Sequence, residues 1–166
     1  NIVNMDKNPR PVTTQYNPIP RVNIPTRTHY PERFINPAII QELFLRISEG
    51  DISRIKDFIL TNNITLYVKD DFGNTVLHHV IKNSNFTNSE RIELVKFLID
   101  RGAPIVAYNN ENITPLHLAS KFQYEEIIDI LLTKGADPNS TDNQFMIPLH
   151  YAIQGYNTDC KSVRKY

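Results

Sequence analysis

A four-residue pattern, Thr114-Pro115-Leu116-His117, returns as Thr75-Val76-Leu77-His78 and as Ile147-Pro148-Leu149-His150. The separations are 39 and 33 residues, and a period near 33 describes a chain of stacked supersecondary units rather than one built around a central core. Behind the motif lies an apolar helical run, Glu126 to Leu132, closed by Lys134-Gly135-Ala136-Asp137-Pro138-Asn139. Upstream, Glu93 to Ile99 and Arg101-Gly102-Ala103-Pro104 repeat that arrangement. Each unit reads as a turn, a short helix, a second helix and a glycine stop. Thr114 suits the cap of the first helix, Pro115 its first position, and Gly135 the left-handed residue after the second. A unit of about thirty residues cannot bury both helices' apolar faces alone, so its neighbours complete the core.

The spacing within units locates an insertion. Thr75 to Glu93 is 18 residues and Thr114 to Glu126 is 12, so six extra residues fall between the paired helices. Residues 83–89 are the expected inserted loop. Four units follow: 39–69, 70–109, 110–142 and an incomplete one at 143–166. In the first, Ile39, Ile40, Leu43, Phe44 and Ile47 recur at helical spacing, and Ile52, Ile55, Phe58 and Ile59 do so after Gly50-Asp51. Its motif is degenerate, with Phe44-Leu45-Arg46-Ile47 in the place of Thr-Pro-Leu-His. In the last, Gly155 to Cys160 departs from the pattern as a further insertion, and Lys161 to Tyr166 starts a helix without its second half. Asn1 is not a methionine and Tyr166 falls within that helix, so the sequence reads as a piece of a longer chain.

These motifs resemble the ankyrin-repeat family over residues 39–166. The resemblance implies an all-α solenoid of stacked helix-turn-helix units with projecting β-hairpin loops. It implies that His78, His117 and His150 hydrogen-bond backbone near the turns and tie repeats together. Phe122-Gln123-Tyr124 replaces the family's glycine-containing connection, which makes that turn harder to form. The family's macromolecular contact surface is the turn tips and the concave face of the first helices. Carried over by position, it comprises Lys69, Asp71, Phe72, Asn74, Lys82 and Asn83, then Tyr108, Asn110, Glu111, Ile113, Lys121 and Phe122, then Thr141, Asn143, Gln144, Met146, Gln154 and Gly155. Phe86 is a further contact, on the opposite side. Frequent Ile and Asn alongside degenerate repeats are similar to the ankyrin proteins of large DNA viruses.

Residues 1–38 differ in composition. They hold seven of the 11 prolines and no glycine, which prevents helices and leaves an extended arm. Two readings stay open for it: a strap or linker, and a segment that docks on a neighbouring chain.

The function expected is a non-enzymatic protein-interaction module. The alternative is a structural component of a large assembly, such as a minor capsid or virion protein anchored by the arm. Zero formal net charge gives no argument for nucleic acid or an anionic membrane. One cysteine, Cys160, favours a reducing compartment. The location expected is therefore the cytoplasm or nucleus of a host cell, or a virion. Asp71-Phe72-Gly73 has no phosphate loop or catalytic loop around it and reads as a turn. No cofactor, metal or nucleophile motif is expected.

Overall fold

The computed structural model describes the backbone of residues 36–163 and the side chains of residues 36–156. The expectations for residues 1–35 lie outside that range, as do those for the side chains of residues 157–166. Seven helices are described: α1 (Pro37–Glu49), α2 (Ile52–Asn62), α3 (Val76–Lys82), α4 (Asn88–Asp100), α5 (Pro115–Lys121), α6 (Glu125–Thr133) and α7 (Pro148–Val163). α1 packs on α2, α3 on α4 and α5 on α6, while α1, α3, α5 and α7 stack in succession as an inner row. α6 stacks on α4 in an outer row, and Lys56 of α2 pairs with Glu93 of α4. There is no strand among the described residues. Where hairpins were implied, the chain makes tight turns, with one isolated bridge between Lys69 and Thr75.

The core follows the apolar spacing. Leu43 and Ile47, Ile55 and Ile59, Leu77 and Ile81, Leu94 and Leu98, and Ile127 and Leu131 are all buried at i, i+4 positions. This burial corrects the register of the first unit. Leu43 is fully buried and takes the place of Leu77 and Leu116, whereas Arg46 lies half-exposed beside Glu42. Phe44 therefore stands where the later units have histidine, and its ring packs 4.6 Å from that of His79.

The insertion is shorter as a loop than the spacing suggests. Asn88 and Ser89 already belong to α4, which has 13 residues against nine in α6, and Thr87 caps it through the Glu90 amide. Four of the six extra residues lengthen the helix and two lengthen the connection. Phe86 is 4% exposed and joins the core instead of serving as a contact. Arg91, itself buried, holds the connection: one guanidinium nitrogen donates to the Asn83 and Phe86 carbonyls at 2.6 and 3.0 Å, another to Asn88 Oδ1 at 3.1 Å. Its guanidinium lies 4.3 Å over the Tyr124 ring in the next unit. Among the described residues it has no carboxylate partner.

The last unit is also corrected. The backbone runs through 155–160 as one 16-residue helix, with no insertion. Gly155 permits this, because a Cβ there would lie 2.0 Å from the Lys121 carbonyl oxygen. Its bare backbone lets α7 close on the end of α5. The glycine-free connection forms nonetheless, with Gln123 taking φ of 56°.

Histidines join the units. His78 Nδ1 accepts the Thr75 N–H at 3.1 Å, which fixes the neutral tautomer with its proton on Nε2, and Nε2 donates to the Ile113 carbonyl at 2.9 Å. His117 repeats the arrangement: Nδ1 accepts from the Thr114 N–H at 3.1 Å and Nε2 donates to the Met146 carbonyl at 3.0 Å. His150 accepts from the Ile147 N–H at 3.0 Å but is exposed. Each buried ring thus closes its own turn and reaches the residue just before the next motif. Burial is the main reason His78 is held down to about 4 and His117 below its ordinary value.

Two outcomes follow for stability. Leu116→Ala should cost about 2–5 kcal/mol through the cavity it leaves, whereas Leu149→Ala, at the same repeat position but 62% exposed, should stay within about 0.5 kcal/mol. Urea melts of the two variants compare them, and an equal loss would contradict the assignment of the core. In the unfolded chain the histidines take up protons near pH 6.5, but His78 does so only near 4 when folded. Between those values the unfolded state holds more protons, so stability is complete above about pH 6.5 and falls toward pH 4, on the order of 3 kcal/mol for His78. Melts from pH 7.5 to 4.5 should show this slope, and His78→Gln should lessen it.

Candidate functional site

Three turns precede α3, α5 and α7, and one carbonyl or carboxylate side chain organises each. Asp70 Oδ1 accepts the N–H groups of Phe72 and Asn74 at 2.9 and 2.7 Å. Asn109 Oδ1 accepts those of Glu111 and Ile113, both at 2.9 Å, and Asp142 Oδ1 those of Gln144 and Met146, both at 2.8 Å. An aspartate or asparagine sits at the start of every turn because a short side chain with an oxygen can bond the backbone two residues on. Each chain then reverses through one residue of positive φ: Gly73 at 76°, Asn112 at 59° and Phe145 at 60°. Glycine and asparagine accept this region readily; a bulky aromatic is strained there.

The second carboxylate oxygens reach the inner helices. Asp70 Oδ2 accepts from His79 Nε2 at 2.8 Å, and Asp142 Oδ2 from the Tyr151 hydroxyl at 2.7 Å. Burial pushes both carboxyls up, but these donors and the turn amides outweigh it and hold both below the ordinary value. The Tyr151 phenol is pushed well up by burial and by Asp142. Tyr151 also packs its ring edge on His117, 5.1 Å between centroids.

Neighbouring tips are laced together. Asn110 donates its N–H to the Phe72 carbonyl and its side-chain amide to the Asp71 carbonyl, both at 3.0 Å. Asn143 repeats this on the Glu111 and Asn110 carbonyls at 3.0 and 3.2 Å. Lys69 Nζ donates to the Tyr108 carbonyl at 2.7 Å, and Asn109 donates to Asn74 Oδ1 at 3.0 Å. The polar groups of Lys69 and Asn74 therefore engage the next repeat, and those of Asn110 and Asn143 the preceding one. Asn110 lies so close to Gly73 that a Cβ there would meet its Oδ1 at 2.5 Å.

The remaining sequence-expected residues are placed differently. Phe72 is 72% exposed, Tyr108 41% and Phe122 38%, with the Phe122 ring stacked 5.7 Å from that of Tyr124. Asp71, Glu111, Lys121 and Gln144 are exposed, and Lys82, Thr141 and Gln154 are too. Ile113, Met146 and Asn83 are half-buried, and Gly155 is buried. Sequence reasoning missed Phe145, which at 83% is the most exposed large apolar side chain described. The signal was available, because Phe145 aligns with Gly73 and Asn112 at the tightest point of the turn.

What this arrangement offers is a surface. Among the described residues no group of three His, Cys, Asp or Glu side chains is placed to hold a metal ion. His78 and His117 have both ring nitrogens engaged. No helix among the described residues is long and apolar enough to cross a membrane.

Comparison with known proteins gives the same architecture. The chain is 32% identical over 116 residues to protein phosphatase 1 regulatory subunit 27 of Homo sapiens, covering 70% of each. It is 30% identical over 120 residues to palmitoyltransferase AKR1 of Lachancea kluyveri, covering 72% of this chain and 16% of the relative. It is 29% identical over 108 residues to the putative ankyrin repeat protein L484 of Acanthamoeba polyphaga mimivirus, covering 60% and 6%. The match to AKR1 and to L484 is thus confined to a small part of those proteins. The family model described as ankyrin repeats (3 copies) matches residues 43–142. With that match over more than half its length, and with its histidine-linked helix pairs, the chain belongs to the ankyrin-repeat family, whose repeats are protein-interaction modules.

Proposed function

We propose that this chain is a non-enzymatic module that binds a protein partner across the turn tips and inner-helix side, inside the cell. The observation that carries this reading is the exposure of Phe72, Tyr108, Phe122 and Phe145 next to polar groups that are already satisfied within the fold. Large aromatics bury much area on binding and lose few torsions, so they serve as anchors. Asp71, Glu111, Ile113, Lys121, Gln144 and Met146 surround them as the remaining contacts. Lys69, Asn74, Asn110 and Asn143 keep the tips in register and touch the partner through what they leave exposed. The phosphatase regulatory subunit among the relatives supports regulation by binding as the module's work. No observation favours the alternative of a virion component.

Selection of binding peptides from a displayed library, followed by calorimetry, tests the reading. The double variant Phe72→Ala, Phe122→Ala should weaken binding at least about tenfold, or about 1.4 kcal/mol, with an unchanged circular dichroism spectrum. Equal affinity would contradict the surface. Phe145→Gly separates strain from binding: it should raise the melting midpoint by releasing roughly 1 kcal/mol of left-handed strain while weakening the complex.

A further inference from the structure

We propose that the inner-helix side of this chain takes an acidic peptide segment in polyproline conformation, with carboxylates three residues apart on Lys82 and Lys121. This rests on reading that side as the contact surface and adds the chemistry of what it contacts. A hollow of about 220 Å³ opens between the end of α1 and α3, with Ile47 in its lining. The polar groups around it are spoken for. The Ser48 hydroxyl donates to the Leu45 carbonyl at 2.6 Å, and the Asn83 amide to the Ile47 carbonyl at 2.6 Å. Asn74 is held between Asp70 and Asn109, and His79 is paired with Asp70. Lys82 is the cation in the lining that has no counter-ion among the described residues.

Lys121 occupies the same position one repeat on, as the last residue of α5 where Lys82 is the last of α3, and it too is exposed and unpaired among the described residues. The row ends there. The corresponding residues are Ser48 in α1 and Gln154 in α7, both uncharged, so the surface presents two positive charges and not a run. The acids of the two turns stand elsewhere: Asp71 and Glu111 are on the turn tips, at the opposite ends of the seven-residue helices α3 and α5, about 10 Å away at 1.5 Å per residue. Glu49, at the end of α1, forms no ion pair among the described residues. A ligand crossing the C-terminal ends of α3 and α5 therefore meets positive charge, and one with complementary negative charge is favoured there.

The spacing selects the ligand's conformation. Packed helices lie about 8–10 Å apart. A polyproline helix has three residues per turn and rises about 3.1 Å per residue, so positions i and i+3 face the same way about 9 Å apart. Two such carboxylates match two adjacent inner helices.

Titration of the chain, labelled at lysine 13Cε, with a blocked peptide containing Glu-Pro-Pro-Glu tests this, with Gln-Pro-Pro-Gln as the control. The Lys82 and Lys121 resonances should shift with the first peptide and not with the second, and Lys82→Gln with Lys121→Gln should lower affinity roughly tenfold. Shifts at neither lysine, or equal shifts with both peptides, overturn the proposal. So does a double lysine variant that melts earlier yet binds as well, since the ammonium groups would then serve only the helix ends. If library peptides still depend on Phe72 and Phe122 in any of those cases, the surface reading stands and only the acidic ligand falls. If they do not, both fall.

Discussion

The structure depends on a neutral imidazole that bonds in two directions at once. His78 and His117 accept from their own turn and donate to the carbonyl that leads into the next one. Either bond alone would satisfy one buried nitrogen; together they turn four residues of local sequence into a fixed distance between repeats. Protonation would place a donor against the N–H of Thr75 or Thr114 and add a desolvated charge. The same ring cannot be both linker and charge carrier, which is why the repeated histidine does structural work.

Around that link the tips are locked sideways and the aromatics are left over. Asn110 and Asn143 use backbone and side chain together on the preceding turn, so adjacent tips move as one strip. Anchors on a strip of that kind are already placed before a partner arrives, and less entropy is lost when one binds. Four of the residues that family position marks as contacts are held in this lacing, and the open aromatic side chains beside them are the anchors of the proposed surface.

Much of the fold was legible because period and burial act through local signals. Thr114, Pro115 and Gly135 announce helix ends, and the i, i+4 pairs announce the core. Three readings depended on contacts that spacing alone does not show. The register of α1 turned on Leu43 filling the leucine position, which a pattern with Ile39, Ile40, Phe44 and Leu45 beside it does not single out. Phe86 looked like an exposed contact because its burial and the Arg91 bond that pins its carbonyl are invisible in the spacing. Gly155 looked like a break because its packing on Lys121 is a tertiary fact. At the site, Phe72, Tyr108 and Phe122 could be found by alignment of repeats, whereas Phe145 required asking which residue must take positive φ.

The lengthened α4 has a consequence for shape. Its four extra residues at about 1.5 Å each carry it roughly one turn past the start of α6, and Arg91 keeps that overhang from collapsing. Asn88 and Ser89 on one side and Gln123 to Ile127 on the other bound a recess of about 490 Å³. A stack of equal repeats would look the same wherever along it a partner docked. This one carries a step in its outer wall between its second and third units, a landmark that gives the solenoid a position as well as a direction.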